Sequence, residues 1–199
     1  MGYKTEKFAY SIGSADDFVQ HLRILEAKNN LSNLSNFGST NSGGRYLLVA
    51  KGSTPVIDFR HFFAAMSQRL SGGVTEKFWS VKFKNTFRSE SGVLLLGVVN
   101  EISQCIDETA KLKLESCFAF EDLASNRLGV EFAEMVIRYQ SNNAKINHGD
   151  LLKIFLANLD PLPASRLADI KVNIAKSVLL ELVGQTFQML SNSVFPKAY

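Results

Sequence analysis

Apolar side chains recur every three or four residues along most of this chain, and no other feature constrains its fold as strongly. The clearest example is FRHFFAAMSQRL, residues 59–70, whose aromatic and aliphatic positions share one helical face. Thr54 and Pro55 are typical of a helix cap and a first helical residue, and Gly72-Gly73 is a typical stop. We therefore predict a mainly α fold, a compact multi-helix domain. Its other predicted helices begin at Ser14, at Ser91, after a Ser125 or Asn126 cap, at Leu151 and at Ser165.

Two short segments have the pattern of strands rather than helices. YLLVAK, residues 46–51, is a compact apolar run, and WSVKFKNTF, residues 79–87, alternates apolar and polar side chains. Period-2 alternation places the aromatic residues of the second segment inside and its lysines on the outer face. We predict that the two segments pair as one small β-hairpin or ribbon beside the helices.

Length and composition predict one domain. A chain of 199 residues is long enough for one well-buried core, so we assign residues 1–199 to a single domain. Residues 29–44 are rich in Asn, Ser and Gly, which favour turns, and they are predicted to form a mobile loop inside that domain. The formal net charge of +3 is too small to indicate nucleic-acid binding by itself.

The sequence pattern shows neither a secretory signal nor a membrane span. Residues 1–13 are charged and have no apolar run, and the longest apolar stretch, residues 92–99, is far shorter than a bilayer requires. We therefore expect a cytoplasmic location, or export by a route that uses no N-terminal signal peptide. The sequence gives no indication of oligomeric state.

Asp58 and His61 are the first candidates for chemistry. They are three residues apart in the predicted helix, so their side chains project from neighbouring positions. An aspartate beside a histidine fixes the imidazole tautomer and raises the imidazole pKa, as a catalytic or metal-binding pair requires. The alternative is an exposed pair that contributes a few tenths of a kcal/mol, roughly, to helix stability.

Glu101 is the second candidate. It follows an apolar run whose character predicts burial on every side of the helix, and it shares a face with Gly97 and Gln104. A glycine at that point lets another group approach the face closely. A carboxyl group at the end of a buried segment has a raised pKa, which suits a general acid. The alternative is that the helix simply emerges into water there.

The segment FEDLASNRLG, residues 120–129, is the third candidate because Glu, Asp, Ser and Asn crowd together after apolar residues. Capping of the following helix by Asp122 or Ser125 explains some of these polar groups without any chemistry. We assign catalytic roles to His61, Asp58, Glu101 and Glu121, and substrate-binding roles to Asp122, Asn126 and Gln104. No metal ligand set is assigned and the cofactor is left open, although a single-metal site is one form that the cluster can take.

These motifs also resemble a known class of module. DFRHFFAAM followed by FAFEDLASNRLGVEFA is similar to modules near the C-termini of large secreted bacterial proteins of the polymorphic-toxin kind. In those modules an Asp-x-x-His-Phe segment precedes a Glu-Asp-Leu-Pro-Ser-Asn-x-x-Gly segment, and Ala124 stands here where that pattern has proline. The similarity covers residues 56–133. It implies an effector-like enzyme and carries no specific activity.

The resulting functional hypothesis is an effector-like hydrolase with an acid/base or single-metal site, for which a muramidase-like glycosidase is one concrete form. Its substrate would be a small molecule or a glycan. The alternative is a non-enzymatic helical module that binds nucleic acid, an anionic surface or a protein partner. KFWSVKFKNTFR, residues 77–88, interleaves lysines with aromatics, but alternation turns the aromatics inward, which disfavours stacking on bases. Motifs typical of serine hydrolases and zinc proteases are absent from the sequence.

Overall fold

The structure of this protein is a computed structural model that describes residues 12–27, 44–52, 54–71, 87–110, 120–142 and 147–167. The described part is mainly helical and includes a small antiparallel sheet, which confirms the predicted fold class. In chain order the elements are α1 (Ala15–Ala27), β1 (Tyr46–Val49), β2 (Val56–Asp58), α2 (Phe59–Ser71), α3 (Glu90–Ala110), α4 (Phe120–Ser141), α5 (His148–Asn158) and β3 (Pro161–Leu162), followed by a 3-10 turn, Ala164–Arg166.

Helix α1 begins where its sequence predicts. The Ser14 hydroxyl accepts a hydrogen bond from the Asp17 backbone N–H at 3.3 Å, and the Ser14 N–H donates to the Asp17 carboxylate at 2.8 Å. These reciprocal bonds form a capping box, which satisfies amide groups that a helix start leaves open. Phe18 and Leu22 then lie fully buried on the inner face.

The sheet confirms the predicted strand at Tyr46 but not its predicted partner. Strand β1 lies in the centre and pairs antiparallel with β2 on one side and β3 on the other. Of the segment predicted to pair with it, residues 79–86 lie outside the described part and Phe87 is helical. The β-branched residues Val56 and Ile57 supply the pairing instead, because they favour extended backbone and pack against Leu47 and Leu48.

Helix α2 begins at Phe59, four residues later than the prediction from Pro55. Thr54 does not cap a helix: its hydroxyl donates to the Val56 carbonyl at 2.8 Å and accepts from the Val56 N–H at 3.2 Å. The cap is Asp58, whose Oδ1 accepts from the Arg60 backbone N–H at 2.9 Å. Asp58 therefore lies at the strand–helix junction, and only His61 is inside the helix.

Helix α4 begins at Phe120, so the predicted caps Asp122, Ser125 and Asn126 lie within it and those predictions are wrong. The physical reason is a contact with a distant part of the chain. Ser125 is fully buried, and its Oγ accepts a hydrogen bond from the Asp58 backbone N–H at 2.7 Å. That N–H lies on the side of β2 that faces away from β1, so α4 satisfies the edge of the sheet.

Replacement of Ser125 by alanine should leave the buried Asp58 N–H without its acceptor. We expect the free energy of unfolding to fall by about 1–3 kcal/mol, as for other buried unsatisfied donors. Urea denaturation measures the change. Ser141→Ala is the matched control, because the Ser141 hydroxyl is exposed and bonds only to the end of its own helix; equal losses in the two variants would contradict the assignment.

Aromatic side chains fill the centre of the core. Phe18 and Phe59 stack with ring centroids 3.6 Å apart, and Phe62 stacks on Phe132 at 5.7 Å, which joins α1, α2 and α4. All four rings are fully buried. Burial of each such side chain contributes about 1.5–3 kcal/mol, so this cluster holds the helices that carry the candidate site.

Helix α3 confirms the predicted span within one residue but not the predicted burial. Val93 and Leu94 are buried, whereas Leu95 is 41% exposed and Val99 is 52% exposed. Among the described elements, the helix packs mainly against α2 and α4. Several apolar side chains of α3 are therefore not covered by the elements that the structure describes.

Two predicted segments lie largely outside the described part. The predicted loop at 29–44 does so except for Gly44, and the predicted final helix does so after Leu167. Helix α5 confirms the predicted helix but begins three residues earlier, at His148, because Asn147 caps it and its side chain accepts from the Asp150 N–H at 2.7 Å. Among the described helices, none combines the length and the apolar character that crossing a membrane needs.

Candidate functional site

Three parts of the fold bring acidic groups and one histidine together. The β2–α2 junction supplies Asp58 and His61, and the first turn of α4 supplies Asp122. One ligand atom from each of these three side chains lies within 4.8 Å of the other two. Glu121 precedes Asp122 on α4, and the middle of α3 supplies Glu101; both are buried. We call these five residues the acidic cluster.

Asp58 is fully buried and held by three donors. Arg45 Nε donates to Asp58 Oδ1 at 2.9 Å, Arg45 Nη2 donates to Oδ2, and the Arg60 backbone N–H donates to Oδ1. Burial alone lowers the pKa of Arg45, but the hydrogen bond and the charge of Asp58 outweigh it and raise that pKa. The guanidinium carbon also lies 5.0 Å from the ring centroid of Tyr46. The Asp58 carboxylate therefore has a fixed orientation.

His61 is held between α2 and α4. Its Nε2 lies 3.4 Å from Asp122 Oδ2, and its ring makes a hydrogen bond with the Asn126 side chain. Burial lowers the pKa of His61, and the positive charges of Arg45 and Arg60 add to this against the opposing effect of Asp58. The imidazole is therefore neutral at physiological pH, a state in which one ring nitrogen can accept a proton or bind a metal.

The pKa of Asp122 is strongly perturbed by its surroundings. Burial raises its pKa well above the usual range, and the nearby charges of Asp58, Glu121 and Glu101 raise it further. Among the described residues, no group donates a hydrogen bond to its Oδ1, although that atom is buried. A buried polar atom without a partner is costly, so Asp122 Oδ1 lowers the stability of the fold unless another group satisfies it.

Gly97 allows α3 to approach the site closely. A Cβ atom at this position would lie 2.5 Å from Asn126 Nδ2, so only glycine leaves room for the Asn126 side chain as it stands. The prediction that Gly97 permits a close approach is confirmed. The Asn126 side chain therefore lies between Gly97 and the ring of His61.

The structure brings together six of the seven residues to which the sequence assigns a role. Gln104 lies on α3 three residues after Glu101, but its side chain is not among those that the structure describes. Sequence reasoning missed Arg45 and gave Ser125 only a capping role, although both bond to Asp58. A charged residue directly before the buried strand YLLV is a weak signal for Arg45, and no local pattern indicates its partner. The catalytic and binding roles themselves stay predictions.

Comparison with known proteins adds no assignment. Neither a family model, a curated protein nor a solved structure matches the chain at a significant level.

Proposed function

We propose that this chain is an effector-like hydrolase whose active site is the acidic cluster. The observation that carries the proposal is the convergence of one imidazole with four buried carboxyl groups from three parts of the fold. Hydrolysis needs one group that activates water and a second group that delivers a proton to the leaving group. The cluster contains candidates for both.

The arrangement suggests a division of roles. His61, with Asp58 and Asp122 within 4.8 Å, is placed to activate water, either as a base or as part of a metal site. Glu101 and Glu121 remain for proton transfer to the leaving group, and Asn126 orients the imidazole. Paired carboxyl groups are also what a glycosidase uses, so a glycan is the first substrate class to test.

The energetic cost of the cluster supports a functional reading. Burial of several carboxyl groups costs free energy unless hydrogen bonds and opposite charges offset it. Arg45 offsets Asp58 through a two-pronged hydrogen bond, but Asp122 has a buried oxygen without a donor in the described part. Groups held for chemistry are often placed at the expense of stability.

A second candidate function is protein binding without catalysis. Leu95, Val99 and Ile102 recur at helical spacing on α3 and are each more than two-fifths exposed. An exposed apolar strip of this kind is typical of surfaces that bind a partner. It would make the chain a helical binding module and leave the acidic cluster without a chemical role.

Hydrolysis of purified peptidoglycan, followed as release of reducing ends, tests the proposal. We expect activity from the full chain, and we expect His61→Gln and Glu101→Gln each to reduce it at least about 100-fold, the usual contribution of an acid or base group. The melting temperatures of both variants should stay close to that of the unmodified protein. A loss of activity that merely follows a loss of folded protein would argue against a catalytic role.

Glu131→Gln serves as the control for charge. It removes one carboxylate from the same helix as Asp122, but at an exposed position paired with Arg127. Activity should be unchanged in this variant. Peptidoglycan hydrolysis that persists in both His61→Gln and Glu101→Gln would overturn the assignment of the site.

A further inference from the structure

We propose that Asp58, His61 and Asp122 bind one divalent transition-metal ion, of the Zn²⁺ or Mn²⁺ kind. The inference deepens the proposed function, because it selects the single-metal form of that site over the acid/base form. It rests on the proposed function only for the chemical role of the ion. Binding of the ion itself is a separate and directly measurable property.

The spacing of the three side chains fits a common ion. His61 Nε2 and Asp122 Oδ2 are 3.4 Å apart, which is long for a hydrogen bond. Two ligands about 2.1 Å from a tetrahedral ion are about 3.4 Å apart. All three ligand atoms lie within 4.8 Å of one another. Every ligand pair of a tetrahedral ion has that separation of about 3.4 Å, so the widest pair here must close by up to about 1.4 Å when the ion binds.

Asp122 gives the second, independent observation. Its side chain is only 6% exposed, and its Oδ1 accepts no hydrogen bond from the described residues. A carboxylate oxygen removed from water needs a donor or a cation. An ion held between Asp122 and His61 would place a cation beside this carboxylate.

The surrounding charges favour a cation as well. Glu101 and Glu121 are buried near Asp122, so carboxyl groups outnumber the single guanidinium of Arg45 among the buried side chains of the cluster, and a cation would favour their ionised form. The positive charge of Arg45 repels a metal ion, but both of its hydrogen bonds to the cluster are donated to Asp58. A carboxylate has about four acceptor positions, and the three donors on Asp58 leave one for a metal.

The ligand types decide which ions fit. Imidazole nitrogen suits Zn²⁺ and other transition ions, whereas Mg²⁺ and Ca²⁺ prefer oxygen ligands throughout. Two carboxylates with one imidazole therefore select Zn²⁺ or Mn²⁺. Three protein ligands also leave a position open for water, as in catalytic rather than structural metal sites. An ion held by these three ligands would lower the pKa of a water bound at the open position, and that water would be the nucleophile for hydrolysis.

Metal titration of the full chain tests the inference without any substrate. The protein is stripped with a chelator, freed of it, and titrated calorimetrically with MnCl₂ and ZnCl₂. Mn²⁺ has low affinity for thiolates and so separates this site from the two cysteines of the chain. We expect one ion per chain, and a Kd that Asp122→Asn and His61→Gln each weaken at least about tenfold. Glu131→Gln, an exposed change of the same charge, should bind as the unmodified protein does.

The outcomes separate the two proposals. Equal affinity in all four proteins, or no binding by the unmodified protein, would overturn the metal site. If Asp122→Asn fails to fold by circular dichroism, His61→Gln provides the same comparison. Hydrolysis by metal-free protein would leave the proposed function standing in its acid/base form and refute the chemical role of the ion, whereas the titration alone decides whether the ion binds. Specific metal binding without hydrolysis of any substrate tested would refute the proposed function and keep the metal site.

Discussion

Replacement of Gly129 by alanine is expected to lower the free energy of unfolding by more than about 3 kcal/mol, or to prevent folding altogether. A Cβ at this position would overlap the carbonyl oxygen of Phe62 and lie 3.0 Å from its carbonyl carbon and 3.1 Å from its Cα. All three atoms are backbone of α2, which cannot rotate out of the way. The two helices would have to separate, and the stacking of Phe62 on Phe132 would be lost with them.

Urea denaturation followed by circular dichroism measures the effect, and Gly97→Ala is the matched control. A Cβ at Gly97 would meet the end of the Asn126 side chain, which can move. We therefore expect a much smaller stability change from Gly97→Ala, together with weaker activity or metal binding, because Asn126 also bonds to His61. Similar stability losses in the two variants would show that α2 and α4 are not in close contact at Gly129.

Replacement of Arg45 by methionine is the second change with a large expected effect. Asp58 is fully buried, and Arg45 donates to both of its oxygens. Removal of one partner from a buried pair typically costs about 3–5 kcal/mol, because the remaining charge stays buried without compensation. The Arg45 side chain is 24% exposed, so water relieves part of this penalty. We expect a loss of about 3 kcal/mol, at the lower end of that range.

Two further variants test the reason for that loss. Arg127→Met removes an arginine from an exposed pair with Glu131 and should change stability by less than about 0.5 kcal/mol. The double variant Arg45→Met with Asp58→Asn should recover much of the loss, since no buried charge is then left alone. Equal losses from Arg45→Met and Arg127→Met, or no recovery in the double variant, would mean that the pair does not hold the β2–α2 junction.

Local features of the sequence were read correctly where the contacts themselves are local. The Ser14 and Asp17 bonds that open α1 lie within one turn. The apolar spacing that predicts helices depends only on neighbours three and four residues away. For the same reason, the spacing along the chain was enough to single out Asp58 with His61, and Glu121 with Asp122, as candidate site residues.

Predictions failed where a distant partner replaced a local one. Thr54 looks like a helix cap, but residues 56–58 pair with β1 and stay extended. The helix therefore begins later, and Asp58 caps it instead. Ser125 and Asn126 look like caps too, but Ser125 bonds to Asp58 and Asn126 to His61, both far away in the chain. A tertiary hydrogen bond to a buried group is worth more than a cap that water can replace.

The sequence by itself determined the helical class, one strand at Tyr46 and the set of acidic side chains that a site can use. Only the tertiary structure decided that these side chains meet, because Asp58, Glu101 and Asp122 lie on separate elements and no local pattern encodes the packing of α2, α3 and α4. It also decided that Arg45 holds Asp58. The face of a helix on which a side chain lies follows from the residues next to it in the sequence. The group that this side chain contacts on another element depends on how the whole core packs.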